Sequence, residues 1–119
     1  MKTQSAKAKG RRLQQWFRDQ LIEKLEVHPE DIESRSMGAG GEDLIMARAA
    51  REKFPYSVEC KNQEKLNIWK ALEQSKGDAR GTLKTPLVVF TKNFEDDYVA
   101  LKYNDFVNIL LELDEYRGK

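Results

Sequence analysis

A mixed α/β fold, built as helix, three strands, helix, two strands, helix, is predicted by three features of the sequence. Apolar residues recur at helical spacing near the N-terminus. Side chains alternate along residues 56–61, and a short, nearly continuous apolar run lies at 87–90. Together they imply a central mixed sheet of about five strands with helices packed on it. The chain of 119 residues is long enough for one hydrophobic core and short for two, so residues 1–119 are read as one unit.

The first helix is expected over Arg11–Glu26. Leu13, Trp16, Phe17, Leu21 and Leu25 form one stripe, with Arg12, Gln15, Arg18 and Asp19 outside it. Before it, residues 1–10 read as a basic arm. Lys2, Lys7, Lys9, Arg11, Arg12 and Arg18 occur with no acidic residue in the first 18 positions, as a polyanion-binding surface requires. His28-Pro29 should stop the helix, because proline disfavours a helical residue before it. A short strand around Ile32–Ser36 follows. Met37-Gly38-Ala39-Gly40-Gly41 is then a tight turn rather than a phosphate-cradling loop, since Glu42-Asp43 comes next and no Gly-Lys-Ser/Thr appears.

Asp43–Ala47 reads as the second strand and Arg48–Phe54 as a charged excursion ended by Pro55. In the third strand, Tyr56–Lys61, Tyr56, Val58 and Cys60 point one way and Ser57, Glu59 and Lys61 the other. A helix is expected from Glu64 to about Ala79, with Leu66, Trp69 and Leu72 inward. Leu87–Phe90 and Tyr98–Leu101 pair as strands across a polar turn. The last helix starts near Asn104, with Phe106, Ile109, Leu110 and Leu113 inward.

Composition narrows the chemistry. Charged residues make up 34% and hydrophobic ones 39% of a chain with net charge +1, a balance suited to a small soluble protein. The longest apolar run is far below the roughly 20 residues of a membrane span, so no membrane association is expected. One cysteine, Cys60, excludes an internal disulfide, and one histidine, His28, leaves no Cys/His set for zinc. Any bound metal must take oxygen ligands, which favours magnesium or manganese. Glu59 and Lys61, two apart on a strand, emerge on one face about 7 Å from each other. Asp43 stands at the mouth of the preceding strand, where antiparallel pairing would bring it beside Glu59. Two carboxylates side by side are costly unless a cation joins them.

At this point the residues carry a resemblance. Gly40-Gly41-Glu42-Asp43-Leu44, followed by Val58-Glu59-Cys60-Lys61, resembles the PD-(D/E)XK nuclease superfamily. Within it the chain is most similar to small Holliday-junction resolvase-like nucleases of archaea and phages, through Lys9-Gly10 and the glycines from Gly38 to Gly41. The resemblance spans roughly residues 9–91 and implies a restriction-endonuclease-like core. It implies that Asp43, Glu59 and the Cys60 backbone carbonyl hold Mg²⁺, with Mn²⁺ able to substitute. Lys61 would prepare the attacking water, and hydrolysis would leave a 5′-phosphate and a 3′-hydroxyl.

Two positions depart from the pattern. Glu42 stands where proline is usual, and Gln14 where the resolvases carry a glutamate, so the third ligand is open between Gln14 and Glu42. The family further implies DNA as substrate, with branched DNA such as a four-way junction a candidate, a homodimer making paired cuts, and the cytoplasm of a bacterial, archaeal or phage-infected host cell. Lys7, Lys9, Arg11, Arg12, Arg35, Ser36 and Gln63 are the expected nucleic-acid contacts. Rival readings are a binding module that keeps the fold without catalysis, and a nuclease acting on RNA or on a specific duplex site.

Overall fold

The computed structural model describes residues 4–35 and 40–118. Helix α1 runs Gln4–Leu25, seven residues earlier than the expected start at Arg11, because Gln, Ala and Lys at 4–9 are good helix formers that need no buried face. The expected basic arm is therefore helical from residue 4 onward. The helix ends before His28-Pro29 is reached. Glu26 adopts φ +56°, and the Val27 N–H reaches back to the Leu21 carbonyl at 3.5 Å, a left-handed C-terminal cap made without glycine. His28 is exposed, and its Nδ1 accepts the Glu30 N–H at 3.1 Å to cap a short 3₁₀ turn, Pro29–Asp31.

Strand β1 (Ile32–Ser34) pairs antiparallel with β2 (Leu44–Met46), followed by a short helix α2 (Arg48–Lys53) where a charged excursion was expected. Strand β3 (Tyr56–Asn62) runs parallel to β4 (Thr85–Thr91), and β4 antiparallel to β5 (Tyr98–Ala100). Helix α3 (Ile68–Ala79) makes the crossover between β3 and β4 and starts four residues later than expected, after its cap Asn67, whose side chain accepts the Lys70 N–H at 3.2 Å.

The expected single sheet of about five strands is two sheets, β1-β2 and β3-β4-β5. The reason is local. The Asp43 N–H donates to the Val58 carbonyl at 2.8 Å, as a rung between β2 and β3 would. The Cys60 N–H, however, goes to the Asp43 side chain at 2.6 Å rather than to a backbone carbonyl. A carboxylate thus occupies the seam where a continuous ladder would run.

The core joins Leu13 and Leu21 of α1, Ile32, Leu44 and Met46 of the first sheet, and Val58, Cys60, Leu87 and Val89 of the second. The opposite face of β3 and β4 lies under α3, whose buried residues Ala71, Ser75 and Ala79 are small and let it approach closely. Ser75 Oγ donates toward the Ser57 and Leu87 carbonyls and accepts the Leu87 N–H at 3.0 Å, binding both strands to the helix.

Two expected core elements face water instead. Trp69 is 76% exposed, and Trp16 is on the surface at 40%. Helix α4 (Tyr103–Arg117) buries none of its residues, so Phe106, Ile109, Leu110 and Leu113 are exposed rather than inward. The Cα radius of gyration, 14.6 Å with a long dimension of 50 Å, exceeds the roughly 13.5 Å of a compact chain of this length.

Candidate active site

Asp43 follows a turn in which Gly41 takes φ +91°, a conformation that a side chain would strain. Arg35 clasps this turn: its Nε donates to the Glu42 carbonyl at 2.6 Å and its own N–H to the Asp43 carbonyl at 2.7 Å. From there the Asp43 carboxylate reaches across to Cys60 of β3. Glu59 projects from the α3-facing side of the same strand, and Lys61 Nζ lies 3.8 Å from its Oε2. The Asp78 carboxylate, from the last turn of α3, stands within hydrogen-bonding reach of Glu59. Glu59 thus has Lys61 and Asp78 beside it and feels the charge of Asp43.

Burial is severe for an acid. Glu59 is 1% exposed, and its carboxyl is pushed up to about 9, by desolvation first and then by Asp78 and the Asp43 charge, against partial relief from Lys61. Asp43 is raised by burial too, although the Cys60 N–H, Lys61 and Gln14 pull it down. The Cys60 thiol is raised well above its usual range by its own burial and packs in the core.

Three buried oxygens here lack a hydrogen-bond partner: Glu59 Oε1, Gln14 Oε1 and Asp78 Oδ2. Unsatisfied buried acceptors cost free energy unless a proton or cation supplies the missing positive charge. The residues therefore fit a hard divalent ion: the donors are oxygens, they are negative, and they are short of partners. Among the described residues no three His, Cys, Asp or Glu side chains are gathered to hold one ion directly. Asp43 and Glu59 would need the Cys60 carbonyl, the Gln14 amide oxygen or water to complete a shell.

The other expected residues are distributed as follows. Gln14 is buried on α1 and hydrogen-bonds the Asp43 carboxylate. Glu42 is engaged elsewhere: its Oε2 accepts Ser57 Oγ at 2.9 Å and its Oε1 forms an ion pair with Lys84. Lys7, Arg11 and Arg12 are exposed on α1, while Lys9 pairs with Glu64 at 3.0 Å. Gln63 borders a groove of about 400 Å³ at the C-terminal end of β3 and β4, apart from Asp43 and Glu59. Ser36 lies outside the described residues.

Sequence reasoning missed Asp78 and Lys84. Both depend on contacts that join segments far apart in the chain, Lys84 lying 42 residues from Glu42. The small-residue spacing Ala71, Ser75, Ala79 is the one local sign that α3 presses against β3.

No described helix is long and apolar enough to cross a membrane. No curated protein and no solved structure matches the chain. A family model described as "Phage putative PDDEXK endonuclease" matches residues 5–117, nearly the whole sequence and all the elements that build this acidic site. The chain therefore belongs to that phage PDDEXK endonuclease family.

Proposed function

We propose that the protein is a Mg²⁺-dependent endonuclease that hydrolyses DNA phosphodiester bonds, with Mn²⁺ able to substitute. The observation that carries this reading is the buried Glu59 carboxylate with an unpartnered oxygen, facing Asp43 and flanked by Lys61. Asp43, Glu59 and the Cys60 carbonyl would hold the ion, with Gln14 the more available of the two further candidates because Glu42 is committed to Lys84 and Ser57. The ion, when bound, supplies positive charge beside the scissile phosphate and acidifies water.

The chain's own groups do the remaining work. Lys61 Nζ, held near Glu59, orients the water and offsets charge that develops on the phosphate. The Cys60 N–H fixes the Asp43 carboxylate, so that acid is positioned before substrate arrives. Exposed Lys7, Arg11 and Arg12 on α1 supply sequence-independent phosphate contacts, and hydrolysis leaves a 5′-phosphate and a 3′-hydroxyl.

We extend the proposal to branched DNA cut by a homodimer. Support for the dimer comes from α4 and β5. Tyr103, Phe106, Leu110 and Leu113 repeat at 3-4-3 spacing on a helix with no buried residue, and Val99 of the edge strand is exposed too. Their exposed neighbours Ile109, Leu111 and Tyr116 widen this apolar face. Sedimentation velocity should show a dimer that Leu110→Glu dissociates; a wild-type monomer at tens of micromolar discards it.

Cleavage assays on four-way junction, duplex and single-stranded DNA, with Mg²⁺ or chelator, test the activity. Junction cleavage that requires the metal supports the proposal, and no cleavage of any substrate by folded protein overturns it. A second reading, a nucleic-acid-binding module without catalysis, is favoured by one observation: Gln14 brings no charge, and Glu42 is occupied elsewhere. DNA binding without calorimetric Mn²⁺ binding would select it.

A further inference from the structure

The PD-(D/E)XK pattern uses residues of β2 and β3, and nothing in it assigns a role to α3. Asp78 nevertheless reaches the Glu59 side chain from that helix, and its Oδ2 is buried with no partner. Ionised carboxylates only accept hydrogen bonds, so this pair is held either by the proton that Glu59 keeps in the metal-free chain or by positive charge that replaces it. A polar side chain outside the acidic group points to the same need: Gln14 is 4% exposed, hydrogen-bonds Asp43 and leaves its Oε1 unpartnered.

The other polar groups of this face are already committed. Lys84 and Ser57 satisfy Glu42, and Ser75 binds the strand backbones. The placement of Asp78 is set by the fold: Ala71, Ser75 and Ala79 seat α3 directly on β3, and Asp78 precedes the last of these. A residue needed only for the helix surface would turn toward solvent, as Glu73 does with its Lys76 pair at 3.2 Å.

We propose that Asp78 is a positioning residue of the metal site, resting on the metal-site reading above, which accepts a hydrogen bond from a water of the bound ion and sets the Glu59 carboxylate against that ion. Divalent magnesium and manganese retain several waters in protein sites, and carboxylates beyond the direct ligands fix the geometry of those that bind. This role agrees with the lack of a three-carboxylate cluster close enough for direct ligation among the described residues.

Calorimetric titration of Mn²⁺ into the wild-type chain, Asp78→Asn and the control Glu73→Gln decides it, with thermal melts of each in Mn²⁺ and in chelator. The expected result is wild-type binding, about tenfold weaker binding by Asp78→Asn, unchanged binding by Glu73→Gln, and a smaller Mn²⁺-induced rise in Tm for Asp78→Asn. Asp78→Ser repeats the measurement if Asp78→Asn melts early in chelator. Equal Mn²⁺ affinity in wild type and a folded Asp78 variant overturns this inference and leaves the Asp43–Glu59 site intact. No Mn²⁺ binding by wild type overturns both.

Discussion

Glu59→Gln should make the metal-free protein more stable at alkaline pH. Glu59 is 1% exposed, and its carboxyl is raised from the ordinary 4.5 to about 9, by burial and by its acidic neighbours. A raised carboxyl binds its proton more tightly in the folded chain than in the unfolded one. Its stabilising effect is therefore complete below about pH 4.5 and is lost as pH rises toward 9. Within that window each pH unit removes up to about 1.4 kcal/mol, so the drop between pH 5 and pH 8 is on the order of 4 kcal/mol. This is a large share of a small domain's stability.

Glutamine keeps the shape and cannot ionise, so the variant should lose much less over the same range. The raised Asp43 carboxyl leaves a residual slope of the same sign. Urea unfolding at pH 5, 6.5 and 8 in chelator measures both slopes. Mn²⁺ should restore wild-type stability at pH 8 and do little for Glu59→Gln. A wild type whose stability is flat with pH in chelator, or a variant with an equal slope, refutes the account of Glu59 as a buried acid awaiting positive charge.

Other consequences are more direct. Lys61→Ala should lower single-turnover DNA cleavage by roughly 10²–10⁴-fold while leaving DNA affinity within about twofold; full activity would displace Lys61 from the site. Ser75→Ala removes the hydroxyl that both donates to and accepts from β3 and β4 backbone groups, and should cost about 1–3 kcal/mol by urea unfolding. Arg11→Ala and Arg12→Ala should each weaken DNA binding and reduce the log–log salt slope by about 1, as fluorescence anisotropy over a salt series would show. An unchanged slope would move the phosphate contacts off α1.

The element order was legible because it rests on periodicity, and burial enforces periodicity one element at a time. The stripe Leu13, Phe17, Leu21 and the alternation of Tyr56, Val58 and Cys60 needed no partner to be read. The boundaries of α1 were less legible. Its basic first turns carry no apolar stripe, and its end is made by Glu26 in a left-handed cap that glycine would normally occupy. The same periodicity misled at α4, where Phe106, Ile109, Leu110 and Leu113 mark an apolar face but not what covers it. Trp69 misled similarly, as an aromatic on a helix stripe that the fold leaves in water.

For the site, residue types and local spacing single out Asp43, Glu59 and Lys61 as candidates, since a glycine turn before an acid and a Glu-x-Lys on a strand are properties of adjacent residues. The structure contributed what spacing cannot encode. Asp43 takes a backbone N–H of β3 and so divides one expected sheet into two. Glu42 turns away to Lys84, and Asp78 arrives from α3. Each of these depends on where a crossover helix and a strand junction come to rest. That outcome is set by packing among segments tens of residues apart and is recorded in no single stretch of the chain.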